Sequence, residues 1–368
     1  MNFNPNQYRT YLVMLVVSAA GSYLFTPLAK ALAARWGAVD LPNPRKIHKT
    51  PMPRLGGVAV FLGFCLPWAG MYLVDNFVTS YFREYEKLFA ALLGAAAAML
   101  GLGIYDDCKG ADATKKFLVQ TAVAVLLYFA GFRIDEVTNP FGDHPIQLGW
   151  FGLPLTVLWI VGVTNSINLL DGIDGLVSGV TFLIAVSLAI INALHGNVLL
   201  ALLTVCLAGA CIGFLPHNHF PARIFLGDSG SLTIGIVLAC VGVISLFRSG
   251  TTSAAANPVI SVPLILFGLP LFDTARVMVV RLLRGVSMFS PDKNHVHHRL
   301  LALGLSQKHA AWVLYFVTAG LCAAGVLISS LSDSTHQFQL SLVFALLAVA
   351  AYIFWRFHLR DLFDQDRS

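Results

Sequence analysis

Apolar runs long enough to cross a bilayer recur from one end of the chain to the other, and that recurrence leaves few folds open. About 17–25 predominantly apolar residues match a helix spanning the hydrocarbon core. Such runs lie near residues 11–34, 55–74, 88–105, 116–132, 151–167, 176–194, 197–215, 230–247, 258–282, 310–331 and 338–356. Charged residues make up only 12% of the 368 residues, whereas soluble domains carry about 25%. The expectation is an all-α polytopic membrane protein of about eleven transmembrane helices, forming one domain over residues 1–368. Between the fourth and fifth runs, "RIDEVTNPFGDHPIQLGWFG" alternates and turns like a small β-hairpin on the external side.

The first run continues past "SAAGS" to about Leu32, with Lys30 and Arg35 at its far end. That length and charge placement describe a span rather than a cleaved signal, with the N-terminus outside. Of the 24 Lys and Arg, only Arg9, Arg83, Lys87, Arg133 and Arg248 fall on the side of the even-numbered loops and the N-terminus. The crowded side is cytoplasmic by the positive-inside rule, and so is the C-terminus. The net charge of +5 is therefore a topology signal and gives no reason to expect nucleic acid. The six cysteines form no CxxC pair and mostly lie in apolar runs, where they read as small packing residues.

Five unusually polar segments all fall on that same side. They are "DLPNPRKIHKTPMPRLGG" (40–57), "YDDCKGADATKK" (105–116), "TNSINLLDGIDGL" (164–176), "PHNHFPARIFLGDSGS" (216–231) and "PDKNHVHHRL" (291–300). External connections such as "SGTTSAAANP" carry nothing comparable. Chance would scatter polar clusters over both faces, so the asymmetry points to an active site at the cytoplasmic membrane surface.

The carboxylates Asp106, Asp107, Asp171, Asp174 and Asp228 are hard oxygen donors of the kind that suits Mg²⁺. Asp171 and Asp174 at i, i+3 can share a helix face, although Asp174 also reads as an N-cap before "GLVSGV". Lys49, Arg54, Lys115, Lys116 and Arg299 are the cations a diphosphate substrate would need, or else they only set topology and touch lipid headgroups. His295, His297 and His298 beside Lys293 and Arg299 suit hydrogen bonds to phosphate oxygens better than zinc, for which their own segment offers no thiolate partner. Asp273 and Arg276, at i, i+3 in or near the ninth run, read as a mutually neutralising structural pair.

Taken in order, "RKIHKTPMPRLGG", "DDCKG", "TNSINLLDGIDGL", "FLGDSGS" and "PDKNHVHHRL" resemble the signatures of the polyprenyl-phosphate N-acetylhexosamine-1-phosphate transferases, over roughly residues 35–310. These are multi-pass enzymes of the bacterial cytoplasmic (inner) membrane that start envelope polymers. The spacing His-Val-His-His-Arg and the basic Arg54 are similar to the branch that uses UDP-N-acetylglucosamine rather than the one that transfers phospho-MurNAc-pentapeptide. The resemblance implies Mg²⁺ as cofactor, with Mn²⁺ as an alternative, and undecaprenyl phosphate and UDP-GlcNAc as substrates. It allows a homodimer.

Carried over residue by residue, the resemblance makes Asp228 the principal metal ligand, with Asp106 and Asp107 beside the metal and the lipid phosphate. Asn168, Asp171 and Asp174 fall on the substrate side. Asn218 and Phe225 match nucleotide-binding positions, with Phe225 stacking on uracil. Lys49 and Lys116 neutralise phosphates, the choice between Lys115 and Lys116 staying open. His297 and His298 match histidines essential near the diphosphate, with His295 and Arg299 as further substrate contacts. Two rival readings are a transporter or lipid flippase, which would show midplane charges and repeats, and an inactive scaffold, which would not need intact "DD", "DGIDG" and "GDSG" clusters.

Overall fold

A computed structural model of the chain describes residues 5–42, 50–71, 77–137, 146–247, 261–285 and 295–330. In chain order the elements are α1 (Pro5–Trp36), β1 (Val39–Asp40), β2 (Met52–Pro53), α2 (Gly56–Met71), α3 (Phe77–Glu84), α4 (Glu86–Lys109) and α5 (Ala113–Ala130). They continue as β3 (Glu136–Val137), β4 (Ile146–Gln147), α6 (Gly152–Leu170), α7 (Leu176–Leu194), α8 (Val198–Asn218), α9 (Gly227–Phe247), α10 (Ser261–Leu266), α11 (Gly268–Leu283), α12 (Val296–Ala302) and α13 (Gln307–Ser330).

Eight of these helices are long and apolar enough to cross a membrane, and Gly56–Met71 is a shorter apolar helix. The chain is a polytopic helical membrane protein, and its helices fall where the apolar runs put them. The run at 338–356 lies outside the described residues. The run at 258–282 is interrupted at Phe267 into α10 and α11. Pro270 has no N–H to offer the carbonyl of Leu266, so a continuous helix is disfavoured there. The hairpin between the fourth and fifth runs is present as β3 paired antiparallel with β4.

The bundle is organised around α9, whose membrane window is 89% buried within the protein. It packs on α4, α6 and α2, while α1 packs on α8 and α2, and α7 on α8 and α13. Close approach is built in by small residues. A Cβ at Gly103 on α4 would overlap the backbone of Ser229, and one at Gly57 on α2 would overlap Ser229 and Gly230. Successive antiparallel helices bring the C-terminal ends of α4, α6 and α8 to the N-terminal ends of α2, α5, α7 and α9. Four of the five polar segments are the connections at that one end.

Candidate active site

The first turn of α9 sets the site. The four leading N–H groups of any helix lack intrahelical partners, and here another helix supplies an acceptor. Asp107, at the end of α4, accepts the N–H of Asp228 through Oδ1 and the N–H of Ser229 through Oδ2, both at 3.0 Å. Arg54 Nε lies 3.5 Å from the same Oδ1, and Arg54 Nη1 lies 3.6 Å from Asp40. Gly227 precedes Asp228 with φ +72°, and a Cβ there would collide with the Arg54 carbonyl. The glycine of "GDSG" is therefore required by both backbone conformation and space.

Asp106 faces elsewhere. One of its oxygens accepts from the Ala111 N–H. The other lies 3.1 Å from Lys116 Nζ, which is also 2.8 Å from Asp228 Oδ2. Lys116 thus bridges two carboxylates from different helices, whereas Lys115 is exposed, which separates the two lysines that sequence left open.

Beside this cluster opens a cleft of about 540 Å³. Arg54, Asp171, Asp174, Asn218, Phe225 and His298 line it, together with Gln307 and Asp40. Burial, reinforced by the neighbouring charges of Asp228, Asp107 and Asp174, pushes the Asp171 carboxyl up to about 8. Asp174 does not cap α7. Its Oδ2 accepts from the N–H of Ala222, and its own N–H donates to Gln307 Oε1 at 3.4 Å. Asn218 is buried, with Nδ2 donating to the Ile224 carbonyl and Oδ1 accepting from Ser178 Oγ. It braces the loop that carries Phe225. Asn168 donates to Ser231 Oγ at 2.8 Å and so ties α6 to the first turns of α9.

Within the histidine segment, His295 opens the short helix α12, and the three rings divide. His298 lines the cleft. His297 is 1% exposed and packs so closely on Gly172 that a Cβ there would collide with its ring. His295 is buried against Asp273, which also pairs with Arg276 at 3.0 Å, as the i, i+3 spacing suggests. Arg299 sits in the first turn of α12, its N–H donating to the His295 carbonyl, and is not among the residues lining the cleft. Lys49 lies outside the described residues. Gln307 was not legible as a site residue, because a lone glutamine opening an apolar helix carries no signal.

Burial lowers the His297 ring to about 3, with His298 and His295 adding to the effect and Asp273 opposing it. The sign follows by linkage. Between about 6.5, the unfolded value, and about 3, the unfolded chain binds the extra proton, so stability falls as pH drops through that window. His297→Asn is expected to flatten the fall in melting temperature between pH 6.5 and 4.5 in detergent. An unchanged slope would mean that another group titrates there.

The donor set fits a magnesium-type cation. Asp106, Asp107, Asp171 and Asp228 interact electrostatically with Lys116 and Arg54, so carboxylates outnumber the cations among them. A divalent cation would relieve that surplus. No group of three His, Cys, Asp or Glu among the described residues is arranged to hold a metal by itself.

The glycosyl transferase family 4 model matches residues 89–246, the stretch that runs from α4 to α9 and holds most of this machinery. A Bacillus subtilis (strain 168) protein named as a probable undecaprenyl-phosphate N-acetylglucosaminyl 1-phosphate transferase is 35% identical over 336 residues, covering 91% of this chain and 89% of the relative. A Mycobacterium tuberculosis (strain ATCC 25618 / H37Rv) decaprenyl-phosphate N-acetylglucosaminephosphotransferase is 36% identical over 329 residues, 84% of this chain and 80% of its own. An Escherichia coli (strain K12) undecaprenyl-phosphate alpha-N-acetylglucosaminyl 1-phosphate transferase is 28% identical over 315 residues, 83% and 81% of the two chains. With the transmembrane bundle, the carboxylate cluster and these relatives together, the chain belongs to glycosyl transferase family 4, among the polyprenyl-phosphate N-acetylglucosamine-1-phosphate transferases.

Proposed function

We propose that this protein transfers N-acetylglucosamine 1-phosphate from UDP-GlcNAc to undecaprenyl phosphate, as the first membrane step of an envelope polysaccharide. The observation that carries the reading is the Asp106–Lys116–Asp228 cluster at the N-terminus of α9, beside a cleft of about 540 Å³. That volume lies within the range of small-ligand sites. Lys116, held between Asp106 and Asp228, places a cation there for a substrate phosphate.

An oxygen of the lipid phosphate attacks the sugar-linked phosphorus of UDP-GlcNAc. The bond from that phosphorus to the oxygen bridging it to the UMP phosphate breaks, and UMP leaves with the bonding pair. The acceptor has a second pKa near 6 and is largely dianionic at neutral pH, so deprotonation is a small part of the barrier. Bringing two anions together is the larger part, and electrostatic stabilisation supplies it. Lys116 and Arg54 face the phosphates, Phe225 offers a stacking surface for uracil, and His298 offers a ring N–H to the diphosphate. Asp228, with Asp106 or Asp171, would hold Mg²⁺ or Mn²⁺, which neutralises phosphate charge when bound.

The remaining features of the reading concern the membrane. The cation asymmetry orients the site toward the cytoplasmic face of the bacterial inner membrane. With the 338–356 run included, the chain makes about eleven spans, N-terminus outside.

Purified protein in detergent, given undecaprenyl phosphate, Mg²⁺ and UDP-GlcNAc, is expected to release UMP and to do so far more slowly with UDP-MurNAc-pentapeptide. Release with the pentapeptide donor alone would move the protein to the other branch. No release with any UDP-N-acetylhexosamine, from folded protein, would overturn the reading.

A further inference from the structure

The histidine helix is held from beneath by a carboxylate to which the transfer reaction assigns no step. Asp273 lies on α11 and is 4% exposed. Its Oδ2 is 2.8 Å from Nδ1 of His295, 22 residues further on. Its Oδ1 accepts from the N–H of Val296 at 2.9 Å and from Arg276 Nη2 at 3.0 Å. An ionised carboxylate can only accept, so Nδ1 of His295 is the donor in this contact. The rings then follow one another toward the cleft. His295 and His297 are nearly parallel, 5° apart with centroids 5.8 Å apart, and His297 and His298 are 4.3 Å apart.

We infer that Asp273 is a positioning residue for the histidine helix. Through His295 and the Val296 N–H it fixes the start of α12, and so sets where His297 meets Gly172 and where His298 faces the cleft. A self-contained Asp273–Arg276 pair would need only one carboxylate oxygen, yet both oxygens are directed at the segment that carries the histidines. Arg276 completes the carboxylate's set of donors. The interaction joins a membrane helix to the site wall, because α11 is an arm of the interrupted ninth run. Its kinetic consequence rests on the transferase reading above, but its structural consequence does not.

The test uses the full-length protein in detergent, with UMP release from UDP-GlcNAc and amide hydrogen exchange over residues 295–302 as readouts. Asp273→Asn is expected to lower kcat about 10- to 100-fold, the range for losing a group that orients a site residue, with KM for UDP-GlcNAc little changed. It should also speed exchange across 295–302. In a His298→Ala background the same substitution should cost no more than about twofold, because residues that act through one another are not additive. His295→Asn places an N–H where Nδ1 stood and should retain most activity, whereas His295→Gln should behave like Asp273→Asn. Additive losses in the double variant, unchanged exchange over 295–302, or equal activity in the two His295 variants would each overturn the inference. Wild-type protein that releases no UMP while Asp273→Asn still alters exchange would overturn the transferase reading and leave the positioning role standing.

Discussion

Asp228→Asn lowers the rate of UMP release about 10³-fold or more, while the melting temperature of the detergent-solubilised protein hardly moves. The separation of the two readouts follows from how the residue is held. The backbone N–H of Asp228, which the substitution leaves in place, makes the structural bond to Asp107. The side chain points instead at Lys116, 2.8 Å away, and Lys116 keeps Asp106 at 3.1 Å when the charge on Asp228 is removed. A carboxamide has the shape of the carboxylate, so packing is preserved.

What disappears is a negative charge in a partly buried site, where electrostatic contributions to a transition state exceed those in open water. Losing one preorganised group in such a site costs about 10²–10³ in kcat, and losing a metal-bearing carboxylate adds to that. The measurement is UMP release from UDP-GlcNAc and undecaprenyl phosphate, with thermal melting of the same preparations. A variant that keeps more than a tenth of the wild-type rate would remove Asp228 from the chemistry. A variant that fails to fold would contradict the division of labour between its backbone and side chain.

The architecture was legible because a bilayer imposes a length on every apolar helix, and the common face of the polar segments was legible because cation placement reports sidedness. Asp228, Phe225, the "DGIDG" carboxylates and the pair Lys115 and Lys116 stood out in sequence as residue types that phosphate and nucleotide chemistry would need, and the structure gathers them at one end of the bundle, with Lys116 the lysine that meets the carboxylates. Their neighbours were harder to read. His295, His297 and His298 are alike in sequence, but one is anchored on Asp273, one is packed on Gly172 and one lines the cleft. Which ring goes where depends on α11 and on the turn after α6, and neither is local to the histidines. The spacing of Asp273 and Arg276 revealed their ion pair, since i, i+3 neighbours meet on any helix. The third partner came from beyond a connection whose course the sequence does not specify. Asn168 and Asn218 also make hydrogen bonds within the protein that residue type does not foretell, and Asn218 lines the cleft as well.

Asp107→Ala is expected to unfold the protein at markedly lower temperature as well as to abolish activity, in contrast to Asp228→Asn. Asp106 and Asp107 look interchangeable as a pair, yet consecutive residues on an α-helix point about 100° apart. From the end of α4, one side chain therefore reaches Lys116 and the other reaches the N-terminus of α9. Asp107 holds two N–H groups that no other element satisfies in the described structure, 121 and 122 residues away in the chain. Leaving a buried donor unsatisfied costs about 1–3 kcal/mol, so losing the acceptor of both should cost roughly 2–6 kcal/mol before the loosened Arg54 is considered. Asp107→Asn keeps one acceptor oxygen and turns its amide toward the other donor, which places it between wild type and Asp107→Ala in melting temperature. A metal-ligand role for Asp107 makes the opposite forecast, in which the asparagine variant melts like wild type and needs far more Mg²⁺ for half-maximal UMP release. If instead its stability falls while the Mg²⁺ requirement of the surviving activity is unchanged, the second aspartate of the pair serves the reaction by fixing the helix on which Asp228 stands.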